Sequence, residues 1–234
     1  MKKLVLASML GTAFIAGPLH AQLIGPTPYL SFSDSPFASD TFVSGDFYLE
    51  DVEDGAINTP GLIVTGSGLC VTNEPGCFLG TLIDSVGNGG NETVGHSIFA
   101  NGNAGPITIT FDANALGFLP TAAGLVWTDG ANPITFEAFD QNGVSLGTLV
   151  GNHADGSNSG TTDEDRFYGA INPGGISRLT IVDPAGIEID HIQYGLLADV
   201  GTSLPEPGTW TTMLLGFGAM GCALRRRKRQ QLSA

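Results

Sequence analysis

Four carboxylates crowd into the stretch FYLEDVEDG, where Glu50, Asp51, Glu53 and Asp54 fall within five residues and Gly55 ends the run. Such crowding raises mutual repulsion unless water or a cation relieves it. Calcium suits an oxygen-only set, since it takes about six to eight ligands from carboxylates and carbonyls. The same run also reads as a solvated acidic turn, the commoner fate of a block of charge. A second acidic stretch, TTDEDRF, sets Asp163, Glu164 and Asp165 just before Arg166. There the guanidinium has a carboxylate partner at hand and would hold the loop down. A second cation site or a sugar-binding loop is the functional alternative.

Nothing else in the chain assembles a recognisable reaction. His96, His153 and His191 are scattered, and no GxSxG elbow, HExxH helix or GxxxxGKS loop occurs, so the nucleophile, zinc-hydrolase and nucleotide readings lack their required parts. Two carboxylates could still serve glycoside cleavage, but their separation is a three-dimensional matter that spacing along the chain does not fix. Cys70 and Cys77 flank VTNEPG, whose Pro75-Gly76 pair favours a turn. An oxidising compartment would let them bridge, and the alternative is two free thiols. A zinc site is not expected, because no second Cys or His pair stands at ligand spacing.

Strands must position these residues. ITITF sets Ile107, Ile109 and Phe111 on one face and Thr108 and Thr110 on the other, the period of a half-buried strand. GLVWT follows, then PITFEAF and VSLGTLV, the last two joined through Asn142-Gly143, a pair that tolerates the left-handed backbone of a hairpin turn. Further strands are expected at Asp46 to Leu49, Gly61 to Val64, Arg166 to Ile171, Ser177 to Val182 and Ile187 to Tyr194. No internal stretch keeps a helical apolar stripe for three turns, and Gly, Asn and Pro punctuate the strands. That pattern predicts an all-β fold: one antiparallel β-sandwich, jelly-roll-like, over residues 22–204. Two long polar loops interrupt it, DSVGNGGNETVGHS and GNHADGSNSGTTDED, and binding function tends to sit on such loops. In the last strand the apolar phase slips between Ile189 and Ile192. A β-bulge near Asp190-His191 explains the slip, and so does a strand covered on both faces.

The ends of the chain read as addresses. MKKLVLASMLGTAFIAGPLHA has two lysines, an apolar run and a small residue at Ala21, so residues 1–21 are expected to be a secretory signal peptide. The apolar run from Thr209 to Leu224 has sixteen residues, short of the roughly 20 that span a membrane comfortably. Five bases follow it, Arg225 to Arg229, and would keep their end cytoplasmic while the segment stalls in the inner membrane as a single short helix. Between the two ends, residues 22–204 hold two bases against 22 acids, a formal charge of −20. So acidic a body excludes nucleic acid and anionic lipid as partners, because affinity for phosphate rests on Lys and Arg.

Two resemblances add to this reading. FYLEDVEDG resembles the opening of carbohydrate-binding, galactose-binding-like jelly rolls, and IEIDHIQYG resembles their last strand. The resemblance implies a structural calcium joining the early acidic turn to the final strand, here Glu53 or Glu50 with Asp190, which the bulge would present. LPEPGTWTTMLLGFGAMGCALRRRKRQ, in residues 205–234 and the one residue before them, resembles the PEP-CTERM sorting signal, with Pro205, Glu206 and Pro207, a brief apolar span and an Arg-rich end in order. That implies recognition by an exosortase, cleavage near the Pro-Glu-Pro motif, and release or attachment at the surface of a Gram-negative bacterium that makes exopolysaccharide. AGLVWTDG, ITFEAFDQNGVSLGT and EDRFYGAINPGGIS are similar to exported proteins bearing this signal. The expected function is a non-catalytic module associated with exopolysaccharide, in the extracellular matrix or at the cell surface. The alternatives are a purely structural surface protein and a secreted polysaccharide-active enzyme. An exposed groove with aromatic residues, Trp127 among them, would favour the first.

Overall fold

The computed structural model describes residues 21–40, 42–77, 84–86, 95–101, 105–154, 156, 164–184 and 186–198. Nearly all of the expected signal peptide, the segment 205–234 with Pro205, Glu206 and Pro207, and Asp163 lie outside the described residues. Among the described residues no helix is long and apolar enough to cross a membrane.

The strands are β1 (Gln22–Pro28), β2 (Phe42–Glu50), β3 (Leu62–Thr65), β4 (Cys70–Val71), β5 (Ile98–Ala100), β6 (Ile107–Phe111), β7 (Ala122–Asp129), β8 (Ile134–Asp140), β9 (Ser145–Gly151), β10 (Arg166–Ile171), β11 (Ile176–Val182) and β12 (Ile187–Leu197). They form a seven-stranded sheet in the order β1-β10-β7-β12-β5-β4, with β2 also on β12, and a five-stranded sheet in the order β3-β6-β11-β8-β9. Every pairing is antiparallel. The chain is therefore the all-β, two-sheet fold that the alternating runs predict. One helical turn, α1 (Ala113–Leu116), is capped by Asp112 and closed by Gly117 in the left-handed conformation.

Two apolar cores hold the sheets. The larger lies between them, where Ile107, Ile109 and Phe111 of β6, Phe136 and Ala138 of β8 and Leu179 and Ile181 of β11 meet Leu125 and Trp127 of β7 and Ile189 of β12. The smaller core sits on the outer face of the seven-stranded sheet. There Val126 and Phe167 pack under Tyr29 and Phe37 from the segment that follows β1. Consequently β7 is buried at every position, and its outer face stays small: a Cβ at Gly124 would run into the Phe167 ring. Trp127 is fully buried with its ring edge-on to His153, centroids 4.7 Å apart. It is a core residue, not the exposed aromatic that a sugar platform needs, because both faces of its strand are covered.

The expected bulge in the last strand is present. Pairing of β12 with β7 shifts between Asp190 and Gln193, and His191 takes φ +42°, a left-handed value rare for a residue with a side chain. The strand is also buried on both faces along most of its length, so the two explanations of the slipped phase hold together. Asn142-Gly143 makes the β8 to β9 turn, with Gly143 at φ +75° and Asp140 Oδ1 accepting the backbone N–H groups of Asn142 and Val144, each at 2.8 Å.

Candidate functional site

The acidic turn uses its carboxylates in different ways. Glu50, 3% exposed at the end of β2, accepts N–H bonds from Val52 at 3.1 Å, Asn58 at 2.7 Å and Thr59 at 2.9 Å, and a longer one from the Thr59 hydroxyl. Its oxygens bind the turn to itself. Asp51 and Asp54 accept locally, from Glu53 N and from Ala56 N and Asn58 Nδ2. Glu53 reaches outward: its Oε1 accepts from the Ser85 hydroxyl at 2.9 Å and from His96 N at 3.0 Å. His96 also stands 3.5 Å from Glu74.

The last strand supplies the other half. Glu188 and Asp190 project from β12 onto the outer face of the sheet, where the segment 84–86 lies across them. Glu188 accepts Asp84 N at 2.9 Å and the Ser97 hydroxyl at 2.8 Å. Asp190 accepts Val86 N at 2.9 Å and His191 N at 2.6 Å, with a weak 3.4 Å contact from Ser85 Oγ. Ser85 thus bridges Glu53 and Asp190, and the structure brings these two together while Glu50 is occupied by backbone donors. Burial pushes the Asp190 carboxyl well above its ordinary range against those donors, and burial likewise raises Glu188 to about 8.

Asp165 of the second acidic stretch completes the seam with Asp84 and Thr128, two residues that the spacing of acids did not single out. Asp84, Thr128 and Asp165 are each fully buried. Both carboxylate oxygens of Asp165 and the hydroxyl oxygen of Thr128 have no hydrogen-bond partner. Burial raises Asp165 to about 9, and Asp84, Asp190 and Glu164 add to it while Arg166 opposes. The Arg166 guanidinium is turned to the Asp165 carbonyl oxygen, 2.8 Å away. Besides its place in the acidic run, Asp165 stands two positions before Phe167, on the same side of the coming strand.

The remaining expected residues serve packing. Cys70 and Cys77 are disulfide-bonded beside the short β4–β5 pair. His153 Nε2 lies 2.6 Å from the Tyr168 hydroxyl, and His191 Nδ1 lies 2.8 Å from the Tyr29 hydroxyl. No three His, Cys, Asp or Glu side chains among the described residues stand together as a ready metal cluster.

Solved structures similar in fold include a family 29 carbohydrate binding module (12% identity, 68% of this chain and 98% of that one, TM-score 0.36). Another is an adhesin domain of the Lys-gingipain of Porphyromonas gingivalis (12%, 65% and 99%, TM-score 0.39). A third is the C-terminal family 22 carbohydrate binding module of Clostridium thermocellum Xyn10B (13%, 70% and 100%, TM-score 0.35). At such scores nothing that these proteins bind carries over to this chain. No curated protein matches the chain significantly. Residues 203–229 match the PEP-CTERM protein-sorting motif, so the chain carries the signal of an exported, exosortase-sorted protein.

Proposed function

We propose that the exported β-sandwich is a non-catalytic module that associates with exopolysaccharide at the surface or in the matrix of a Gram-negative bacterium. An exosortase handles its tail, and the apolar helix anchors it transiently in the inner membrane. The observation that supports a sugar ligand is the open outer face of the five-stranded sheet. There the Arg178 guanidinium lies 3.9 Å over the centre of the Phe139 ring, and Arg178 and Phe139 are paired in register on β11 and β8. The row beside them places Thr108, Thr180 and Glu137 in line. A sheet face with one aromatic ring, a planar five-donor fork, two hydroxyls and a carboxylate suits the stacking and paired hydroxyls of sugar rings.

The test is a binding screen of the full chain against the host's own exopolysaccharide, by affinity electrophoresis. Retardation of the wild type, reduced roughly tenfold in affinity by Phe139→Ala or Arg178→Ala, about 1.4 kcal/mol, is the expected result. No retardation by any polysaccharide would favour the purely structural reading, and release of reducing ends would favour the enzyme. Either outcome removes the proposal.

A further inference from the structure

We infer that Asp84, Thr128 and Asp165 form a buried site for a hard divalent cation, calcium by the chemistry of its ligands, on the outer face of the seven-stranded sheet. Three separate segments build it. Arg166 pairs with Trp127 at the end of the β10–β7 ladder, so Asp165 falls opposite Thr128 one step further on. The two-residue period of strands puts Asp165 on the side of Phe167 and Thr128 on the side of Val126, both of which face the smaller outer core. On the neighbouring strand, Asp190 pairs with Val126 and Glu188 with Asp129. These two acids hold the segment 84–86 by its backbone, through Asp84 N and Val86 N. Asp84 is thereby fixed against the same surface.

For Asp165 and Thr128 the oxygens are in place and their hydrogen bonds are not. Asp165 and Thr128 are wholly buried, yet neither carboxylate oxygen of the one nor the hydroxyl of the other meets a partner. A buried polar group left unsatisfied is among the more destabilising features a fold can carry. An ion held between them gives the Asp165 carboxylate and the Thr128 hydroxyl the partner that they lack, with Asp84 beside them as the second carboxylate. Positive side chains are scarce in the protein. Its exported body contains no lysine and only Arg166 and Arg178. Of these, Arg166 reaches the Asp165 carbonyl, and Arg178 stacks on Phe139.

Calcium follows from the donor set. Two carboxylates and a hydroxyl offer only oxygen, which excludes the preferences of zinc and copper. Calcium accepts irregular shells completed by carbonyls and water, while magnesium keeps a near-ideal octahedron rich in water that a buried seam accommodates poorly. With two carboxylates as its charged ligands, the site needs no three-acid cluster of the kind missing among the described residues. It also differs from a calcium on the acidic turn, because Glu50 is bound by backbone donors and Glu53 by Ser85 and His96.

The experiment uses the full chain, stripped with chelator and returned to calcium. Metal analysis after dialysis should find about one calcium per chain, and calcium at a hundredfold excess over Kd should raise Tm by about 5–10 °C. Asp165→Asn and Asp84→Asn should each weaken calcium binding roughly tenfold or more, while Glu53→Gln keeps it. Should Asp165→Asn fail to fold, Asp84→Asn and Thr128→Val decide by the same readouts. No calcium retained by the wild type overturns the inference, as does calcium retained by both Asp variants. Calcium lost in Glu53→Gln alone overturns it too, by placing the ion on the acidic turn.

Discussion

Tyr29 and His191, 162 positions apart, are joined by a 2.8 Å hydrogen bond between the phenol oxygen and the imidazole Nδ1. The contact ties the segment after the first strand to the bulge of the last. Gln193 Nε2 donates to the same phenol at 3.0 Å, and the Tyr29 ring stands edge-on to the imidazole with centroids 5.6 Å apart. A left-handed His191 is unfavourable on its own, so the bulge persists because its neighbours determine it.

Tyr29→Phe keeps the ring and removes both hydrogen bonds. Since Gln193 is buried and His191 partly so, we expect a loss of about 1–3 kcal/mol, seen as a lower urea midpoint with an unchanged slope. An unchanged midpoint would show that the phenol contributes nothing to the bulge.

Glu50 makes a different kind of tie. Its side chain gathers the N–H groups of Val52, Asn58 and Thr59, so a turn of like charges is held by one member of the set. Glu50→Ala strands those donors and should cost about 2–4 kcal/mol, with Glu50→Gln in between because the amide keeps one acceptor. The calcium response of Glu50→Gln should match the wild type. A Glu50→Gln chain that unfolds normally but no longer responds to calcium would make Glu50 a ligand after all.

Strands with one wet face are the plainest in the sequence, although the runs of β7, β10 and β12, buried on both faces, are legible as strands too. ITITF alternates buried and half-buried residues, and the same is nearly true of β8, so period and structure coincide. β1 escaped notice because Gly25, Pro26 and Pro28 argue against a strand; it is tolerated at the edge of its sheet, where a missing N–H is affordable. Trp127 was legible as a strand residue and not as a buried one. Its burial depends on the layer formed by Tyr29, Phe37 and Phe167, which no local pattern around GLVWT announces. The same holds for the cation seam: Asp165 faces Thr128 only because β10 lies beside β7. Composition could show that acids far outnumber bases; which acids meet is a property of topology.

The matched sorting motif over residues 203–229 leads to a processing prediction. If an exosortase acts near Pro205-Glu206-Pro207, mass spectrometry of surface material should recover peptides from the sandwich and none beyond about Pro207. Intact peptides carrying the Arg225 to Arg229 block, found in that material, would refute processing there.

Protonation of His153 opposes the fold as pH falls. Burial lowers the imidazole pKa to about 4 from an ordinary 6.5, and the positive charge of Arg166 lowers it further against a backbone contact near Glu164. The neutral ring is what fits between Trp127 and Tyr168, with Nε2 at the phenol. Between about pH 6.5 and 4 the unfolded chain therefore holds a proton on this residue that the folded chain does not, so the His153 contribution to stability is complete above that window and is lost as pH falls through it. Replacing His153 by Gln keeps a polar partner for Tyr168 and removes the titration. The wild-type Tm should fall more steeply than that of His153→Gln from pH 7 to 4, measured at one calcium concentration so that ion binding does not enter the difference. Parallel curves would mean that His153 titrates alike in both states, and the neutral ring would then play no part in holding the two aromatic residues together.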